Sequence, residues 1–266
     1  MRRLPSQAFI RHIISCDTHN TFEERYLVEG SLPGRCQSRS DGMMFFCKKI
    51  DFASEYKALC DCASDSVVKV VEKFPGHLVL ELLGTDLLEM MRENGEPLLH
   101  LEACLIIRDM LRGLVSVHAR GYIHGDIKPE NFVLSSQSGD LDVDGINVKL
   151  IDFDNSRPIS EKKVNTRGSL AYLAPEYALS QASDIWSVGA VAFLLLTGES
   201  LINPAADSDT VSNILKDQEF PARRLAECLK CKVSADIYEL VSALLSREPN
   251  RRPTAQETLD RLLSLG

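Results

Sequence analysis

Long apolar runs are missing from this chain. The longest, Val188 to Leu196, is far short of the roughly 20 residues that a spanning helix needs, which predicts a buried helix and no membrane insertion. Basic charge is also scarce. Thirty Lys and Arg stand against 38 Asp and Glu, a net charge of −8, so no nucleic-acid surface is expected. Internal repeats and low-complexity tracts are absent, which excludes solenoids and long linkers. The eight cysteines lack zinc-type organisation. Cys60 with Cys62, and Cys228 with Cys231, form pairs without a second pair at suitable spacing. They read as reduced, mostly buried thiols of an intracellular protein. Residues 1–15 carry Arg2, Arg3, Arg11 and His12 but no continuous apolar core, so no secretory signal is expected.

What remains is an ordinary globular composition, 44% hydrophobic and 26% charged over 266 residues, enough for a sizeable core. The first third carries short apolar runs at Tyr26–Val28, Met43–Cys47, Val67–Val71 and Leu78–Leu83. Turn residues such as Gly30, Pro33, Gly34, Asp41-Gly42 and Pro75-Gly76 separate them. This pattern predicts an antiparallel sheet, interrupted by one helix over Ala53–Cys62. Helical spacing then dominates, over Leu101–Ala119, Ser183–Leu196, Ala235–Leu245 and Thr254–Leu265. Strands followed by helices make an α+β arrangement, joined near Gly84.

The densest chemical signal is His124-Gly125-Asp126-Ile127-Lys128-Pro129-Glu130-Asn131, followed by Val148-Lys149-Leu150-Ile151-Asp152-Phe153-Asp154. Phosphoryl transfer needs a carboxylate beside the attacking hydroxyl, a cation on the γ-phosphate and oxygen ligands for Mg²⁺. Asp126 suits the first role, Lys128 the second, and Asn131 with Asp152 the third.

At these residues the chain resembles the eukaryotic-type protein kinase family, from about Tyr26 to Leu263. Gly168 to Glu176 resembles the substrate loop ending in A-P-E. Asp184-Ile185-Trp186-Ser187-Val188-Gly189 resembles D-x-W-S-x-G, and Arg251-Arg252-Pro253-Thr254 the closing R-P-T. These three features separate it from the small-molecule kinases that also carry H-G-D. The resemblance implies a two-lobed fold: an N-terminal extension over 1–20, a small antiparallel β-rich N-lobe over about 21–83, and a larger helical C-lobe over about 84–266. It implies that Arg252 pairs with Glu176 and that Asp184 holds the catalytic-loop backbone. Lys128 and Ser169 imply the serine/threonine class. The implied cofactors are ATP and Mg²⁺, and the implied partners are protein substrates carrying Ser or Thr, with a monomer by default.

Upstream, Phe45 to Ile50 resembles the V-A-I-K strand, with Lys48 as the α/β-phosphate lysine and Lys49 as the other register. Glu55 matches the glutamate of the family's regulatory helix. Only seven positions separate Lys48 from Glu55, which implies that this helix has lost its first turns. Gly30 and Gly34 match the phosphate loop, Glu81 and Leu83 the adenine hinge after Leu80, and Val133 the floor of the adenine site. Val70, Leu59, Phe153 and His124 match an internal spine. The acids Asp86, Glu89, Glu93, Glu96 and Glu130 point to a basic substrate motif or to a solvated face.

Four departures stand out. The glycine-rich loop is reduced to Gly30 and Gly34, and Pro33 lacks an N–H. Phe46 replaces the small residue over the adenine if Lys48 is the phosphate lysine; in the other register that residue is Cys47. Asp154 replaces the glycine of D-F-G. Gly125 replaces the arginine that receives an activation-loop phosphate, so activity is expected not to depend on such a phosphate. The rival reading is a pseudokinase, a binding or scaffold protein with a kinase fold.

Overall fold

The computed structural model describes residues 21–50, 53–95, 98–135, 147–161 and 169–265. The N-terminal extension (with Cys16), Glu96 and Gly168 lie outside these. The chain divides into two units. One holds residues up to Asp51 with Val70–Leu82; the other holds Phe52–Lys69 and everything from Leu83 onward.

The smaller unit begins with a short helix, α1 (Phe22–Arg25), which leads into a five-stranded antiparallel sheet. Its strands are β1 (Tyr26–Val28), β2 (Gly34–Ser38), β3 (Met44–Lys49), β4 (Val70–Phe74) and β5 (His77–Glu81), in the order β1-β2-β3-β5-β4. Alternate side chains of β3 point to opposite faces. Phe45 and Cys47 pack into a core with Phe22, Tyr26, Cys36, Phe74 and Val79. Phe46 and Lys48 therefore take the other face, paired with Leu80 and Leu78.

Two expectations are corrected here. Cys36 and Cys47 are joined by a disulfide and are not both reduced thiols. They occupy diagonal positions on the buried face of β2 and β3, with Cα atoms 6.1 Å apart, within bridging reach. The run Val67–Val71 does not form one strand. Val67 bridges Leu150, the N–H of Val68 donates to the Leu150 carbonyl at 3.0 Å, and β4 starts only at Val70. A second partner claimed the first residues of the run.

The larger unit contributes α2 (Ala53–Asp61), α3 (Leu87–Asn94), α4 (His100–Ala119), and the short strands β6 (Tyr122–Ile123), β7 (Phe132–Leu134), β8 (Val148–Leu150) and β9 (Arg157–Pro158). Helices α5 (Gln181–Thr197), α6 (Ser208–Lys216), α7 (Ala222–Cys228), α8 (Ala235–Leu244) and α9 (Ala255–Leu263) follow. Helix α5 is apolar all round, with Trp186, Val191, Phe193 and Leu195 wholly buried, as a central core helix must be. Its N-terminus carries a capping box, with the Ser180 and Ser183 side chains each accepting from the other's backbone N–H. Gly198 at φ 76° ends it. Helix α4 packs on α5 and α9. Strand pairs β6–β9 and β7–β8 carry the loops that hold the site. Among the described residues, no helix is long and apolar enough to cross a membrane.

Candidate active site

Strand β6 delivers the chain to His124, which is wholly buried. Its backbone N–H and that of Gly125 donate to the two carboxylate oxygens of Asp184, each at 2.9 Å. Asp184 sits in the first turn of α5 and is 2% exposed. The His118 ring lies 2.9 Å from the same carboxylate. A buried carboxylate thus sets the backbone that precedes Asp126, and these hydrogen bonds offset the cost of burying its charge. The His124 ring bonds the Ile151 carbonyl at 3.0 Å and meets Phe153 edge-on at 5.0 Å. Burial, outweighing the carboxylates around it, pushes the His124 pKa down, so the ring is neutral near pH 7.

Gly125 has φ +81°, a region that side chains rarely adopt. A Cβ there would meet the Asn155 carbonyl at 3.2 Å. A side chain at this position would be strained in this backbone.

Asp126 is gripped on several sides. Lys128 Nζ donates to its Oδ2 at 2.9 Å, and Asn131 Nδ2 donates to its carbonyl at 2.7 Å and to Oδ2 at 3.3 Å. The Ser169 N–H and hydroxyl approach Oδ1 at 3.3 and 3.5 Å. Burial works against the charge of Lys128, but the hydrogen bond and charge of Asp126, with Glu130 and Asp152 beyond, raise its pKa overall. The lysine stays cationic. The Asn131 carbonyl accepts from the N–H of Ile151 at 2.9 Å, which ties the catalytic loop to the segment bearing Asp152. Asp152 has φ 61°, unusual for a residue with a side chain. Its carboxylate lies within 4.8 Å of those of Glu55 and Asp154.

Further out, Arg252 makes a two-pronged pair with Glu176, both bonds 2.7 Å, and lies over the Trp186 ring. The Arg252 side chain is fully buried.

The larger unit thus brings together Asp126, Lys128, Asn131, Asp152 and Glu55. Val133 is buried in β7, and Leu83 opens the second segment of this unit. Lys48, Glu81, Gly30, Gly34 and Val70 belong to the smaller unit. There, Lys48 shares the face of Phe46, while exposed Lys49 shares that of Phe45 and Cys47. Gly34 is demanded by its turn, since a Cβ would lie 2.6 Å from the Ser31 carbonyl. Asp86 serves as the cap of α3, accepting from the N–H of Glu89. Three further residues of the site carry no motif in the sequence. His118, Tyr122 and Gln181 brace the catalytic loop, Gln181 by donating to the carbonyls of His118 and Tyr122. A histidine inside the apolar pattern of α4 was the one available signal.

A family model of the protein kinase domain matches residues 43–263. The chain is 32% identical over 190 residues to a calcium and calcium/calmodulin-dependent serine/threonine-protein kinase of Oryza sativa subsp. japonica, covering 69% of this chain and 35% of that protein. It is 26% identical over 251 residues to myosin light chain kinase family member 4 of Mus musculus, covering 85% and 61%. It is 27% identical over 260 residues to calcium-dependent protein kinase 27 of Arabidopsis thaliana, covering 86% and 50%. The chain therefore spans about one third to three fifths of the length of these relatives. Among solved structures, the Rad53 kinase domain with SCD2 in complex with AMPPNP superposes with a TM-score of 0.71 at 22% identity, covering 90% of each chain. That likeness is one of fold, and it agrees with the five-stranded sheet and the helical unit. The chain belongs to the eukaryotic-type serine/threonine protein kinase family.

Proposed function

We propose that this protein moves the γ-phosphoryl group of ATP onto serine or threonine hydroxyls of protein substrates. The observation that carries this reading is the bracing of Asp126 by Lys128, Asn131 and Ser169, on a backbone fixed by buried Asp184. Positioning and electrostatics supply most of phosphoryl-transfer catalysis, and this arrangement supplies both.

In this mechanism Asp126 accepts the proton of the substrate hydroxyl. The hydroxyl oxygen forms a bond to the γ-phosphorus while the bond to the β,γ-bridging oxygen breaks. Lys128, kept cationic, faces the charge on the transferred group. Lys48 takes the α- and β-phosphates, because its alternative, Lys49, lies on the face of β3 that carries buried Cys47. Glu81 and Leu83 supply backbone to the adenine, Val133 packs on its ring, and Gly30 and Gly34 lie by the phosphates.

The donor set fits Mg²⁺. Asp152 and Asn131 offer hard oxygen ligands, and Asn131 spends its Nδ2 on Asp126, which leaves Oδ1 for a cation. Bound there, Mg²⁺ neutralises phosphate charge. A basic side chain in the substrate suits the carboxylate of Glu130, in the loop between Lys128 and Asn131.

The scaffold reading draws on Phe46, which shares the face of Lys48, and on the shortened glycine loop. Phosphotransfer from labelled ATP to a peptide library tests the enzyme reading. Asp126→Asn is expected to lower the rate about 10²–10⁴-fold. Equal labelling by both proteins would assign the activity to a contaminant.

A further inference from the structure

Helix α2 carries Glu55 and is nine residues long. A helix of that length, about 14 Å, has no stability of its own. Its stance depends on what it docks against. Glu55, Ala58, Leu59 and Cys62 are buried at helical spacing. Burial, with the neighbouring Asp61 charge, pushes the Cys62 thiol up to about 12, so it stays neutral and acts as an apolar contact.

The last residue of α2 is Asp61. A carboxylate at a helix C-terminus meets the negative end of the helix dipole. Two donors offset that. Lys57 pairs with Asp61 along the helix, and the Tyr122 hydroxyl donates to Asp61 Oδ2 at 2.6 Å. Both hold the Asp61 pKa below its ordinary value. Tyr122 is 6% exposed. Burial, then its bond to Asp61, raises its pKa, so it remains a donor at neutral pH.

Tyr122 is more than a cap. It stands two residues before His124, and its strand pairs with β9, Tyr122 opposite Pro158. Its carbonyl accepts from Gln181 of α5 at 3.1 Å. One residue therefore meets the helix that bears Glu55, the strand that feeds the catalytic loop, and the segment that follows Asp152. Glu55 lies six residues from Asp61, under two helical turns, with its carboxylate within 4.8 Å of those of Asp152 and Asp154. A pivot at Asp61 displaces that cluster.

We propose that Tyr122 is a positioning residue: through the Asp61 carboxylate it locks helix α2 to the strand leading into the catalytic loop and holds Glu55 beside Asp152. This rests on the kinase reading of Glu55.

The test compares Tyr122→Phe, Asp61→Asn, their combination and Glu55→Gln in the full chain. Tyr122→Phe keeps the buried ring and removes only the donor. Steady-state kinetics with a peptide substrate and amide exchange of α2 are the readouts. Each single change is expected to lower kcat about 10- to 100-fold, with peptide KM within about twofold. The combination should be no worse than the more damaging single change, because both remove one contact. The α2 amides should exchange at least about tenfold faster in Tyr122→Phe. If Glu55→Gln loses activity while Tyr122→Phe keeps kcat within about twofold, the lock is overturned and the Glu55 reading stands. If Glu55→Gln keeps full activity, or wild type transfers no phosphate, that reading fails and exchange alone decides. Faster exchange then supports the lock, and unchanged exchange overturns it.

Discussion

Around Asp126 in the larger unit, an ammonium, a carboxamide and a serine all bond the same residue, and a buried carboxylate fixes the backbone before it. The turn from Glu29 to Gly34 in the smaller unit is built differently. Its two glycines flank a proline that can donate no hydrogen bond, and Gly34 is there because the Ser31 carbonyl leaves no room for a Cβ. With Lys48 as the phosphate lysine, Phe46 takes a position on β3 where a small residue is expected. The comparison teaches that the residues proposed to move a proton and steady a phosphate are firmly braced, while those proposed to grip the nucleotide depart from the family pattern. Such a chain is expected to be a catalyst with weakened nucleotide affinity, not a scaffold.

The sharpest way to break this comparison is at the two lysines of β3. Lys48→Met is expected to reduce transfer by 10²-fold or more, on the order of losing one preorganised charge contact. Lys49→Met should leave it within about twofold, since that side chain is exposed. Loss in Lys49→Met alone would reverse the strand's facing, and loss in neither would favour the scaffold.

Phe46 tests the other side. Its face of β3 is opposite the core that holds Phe45 and Cys47. If its ring crowds the adenine, Phe46→Ala should tighten ATP binding roughly 5- to 150-fold, the equivalent of about 1–3 kcal/mol of overpacking. Calorimetry measures this directly. Unchanged affinity with a lowered melting temperature would make Phe46 a packing residue.

A smaller effect sharpens the picture of the larger unit. His124 has a depressed pKa when folded, whereas the unfolded chain titrates near 6.5. The unfolded state then binds more protons below that value. The stability His124 contributes is therefore present above about pH 6.5 and lost as pH falls towards the folded pKa, at up to about 1.4 kcal/mol per pH unit. Melting temperatures from pH 7.5 down to 5.5 should fall more steeply in wild type than in His124→Phe. Equal slopes would mean that His124 is not the titrating group.

Legibility in the sequence followed contiguity. Asp126, Lys128 and Asn131 lie within six residues and were readable as a set, as were the helices with long apolar stripes, α4, α5, α8 and α9. Strand β2, Gly-Arg-Cys-Gln-Ser, has no alternation to reveal it; pairing on both sides makes it a strand. Helices α3, α6 and α7 are short, and α6 and α7 bury only Val211, Leu215 and Leu225. Asp86, read as a groove acid, is spent on capping α3. Cys36 and Cys47 are eleven positions apart, and only the register of β2 on β3 makes them neighbours. The bracing group of His118, Tyr122, Gln181 and Asp61 is assembled from three helices and a strand, with no local pattern to betray it.

The most direct measurement takes wild type and Asp126→Asn from parallel preparations, titrates each with Mg²⁺-ATP by calorimetry, and follows phosphate transfer to the same peptide. If Asp126 acts on the substrate hydroxyl and not on the nucleotide, as proposed, both proteins should bind ATP with affinities within about threefold, while transfer falls about 10²–10⁴-fold in the variant. Wild type that binds no nucleotide and transfers no phosphate would contradict the enzyme and leave the scaffold.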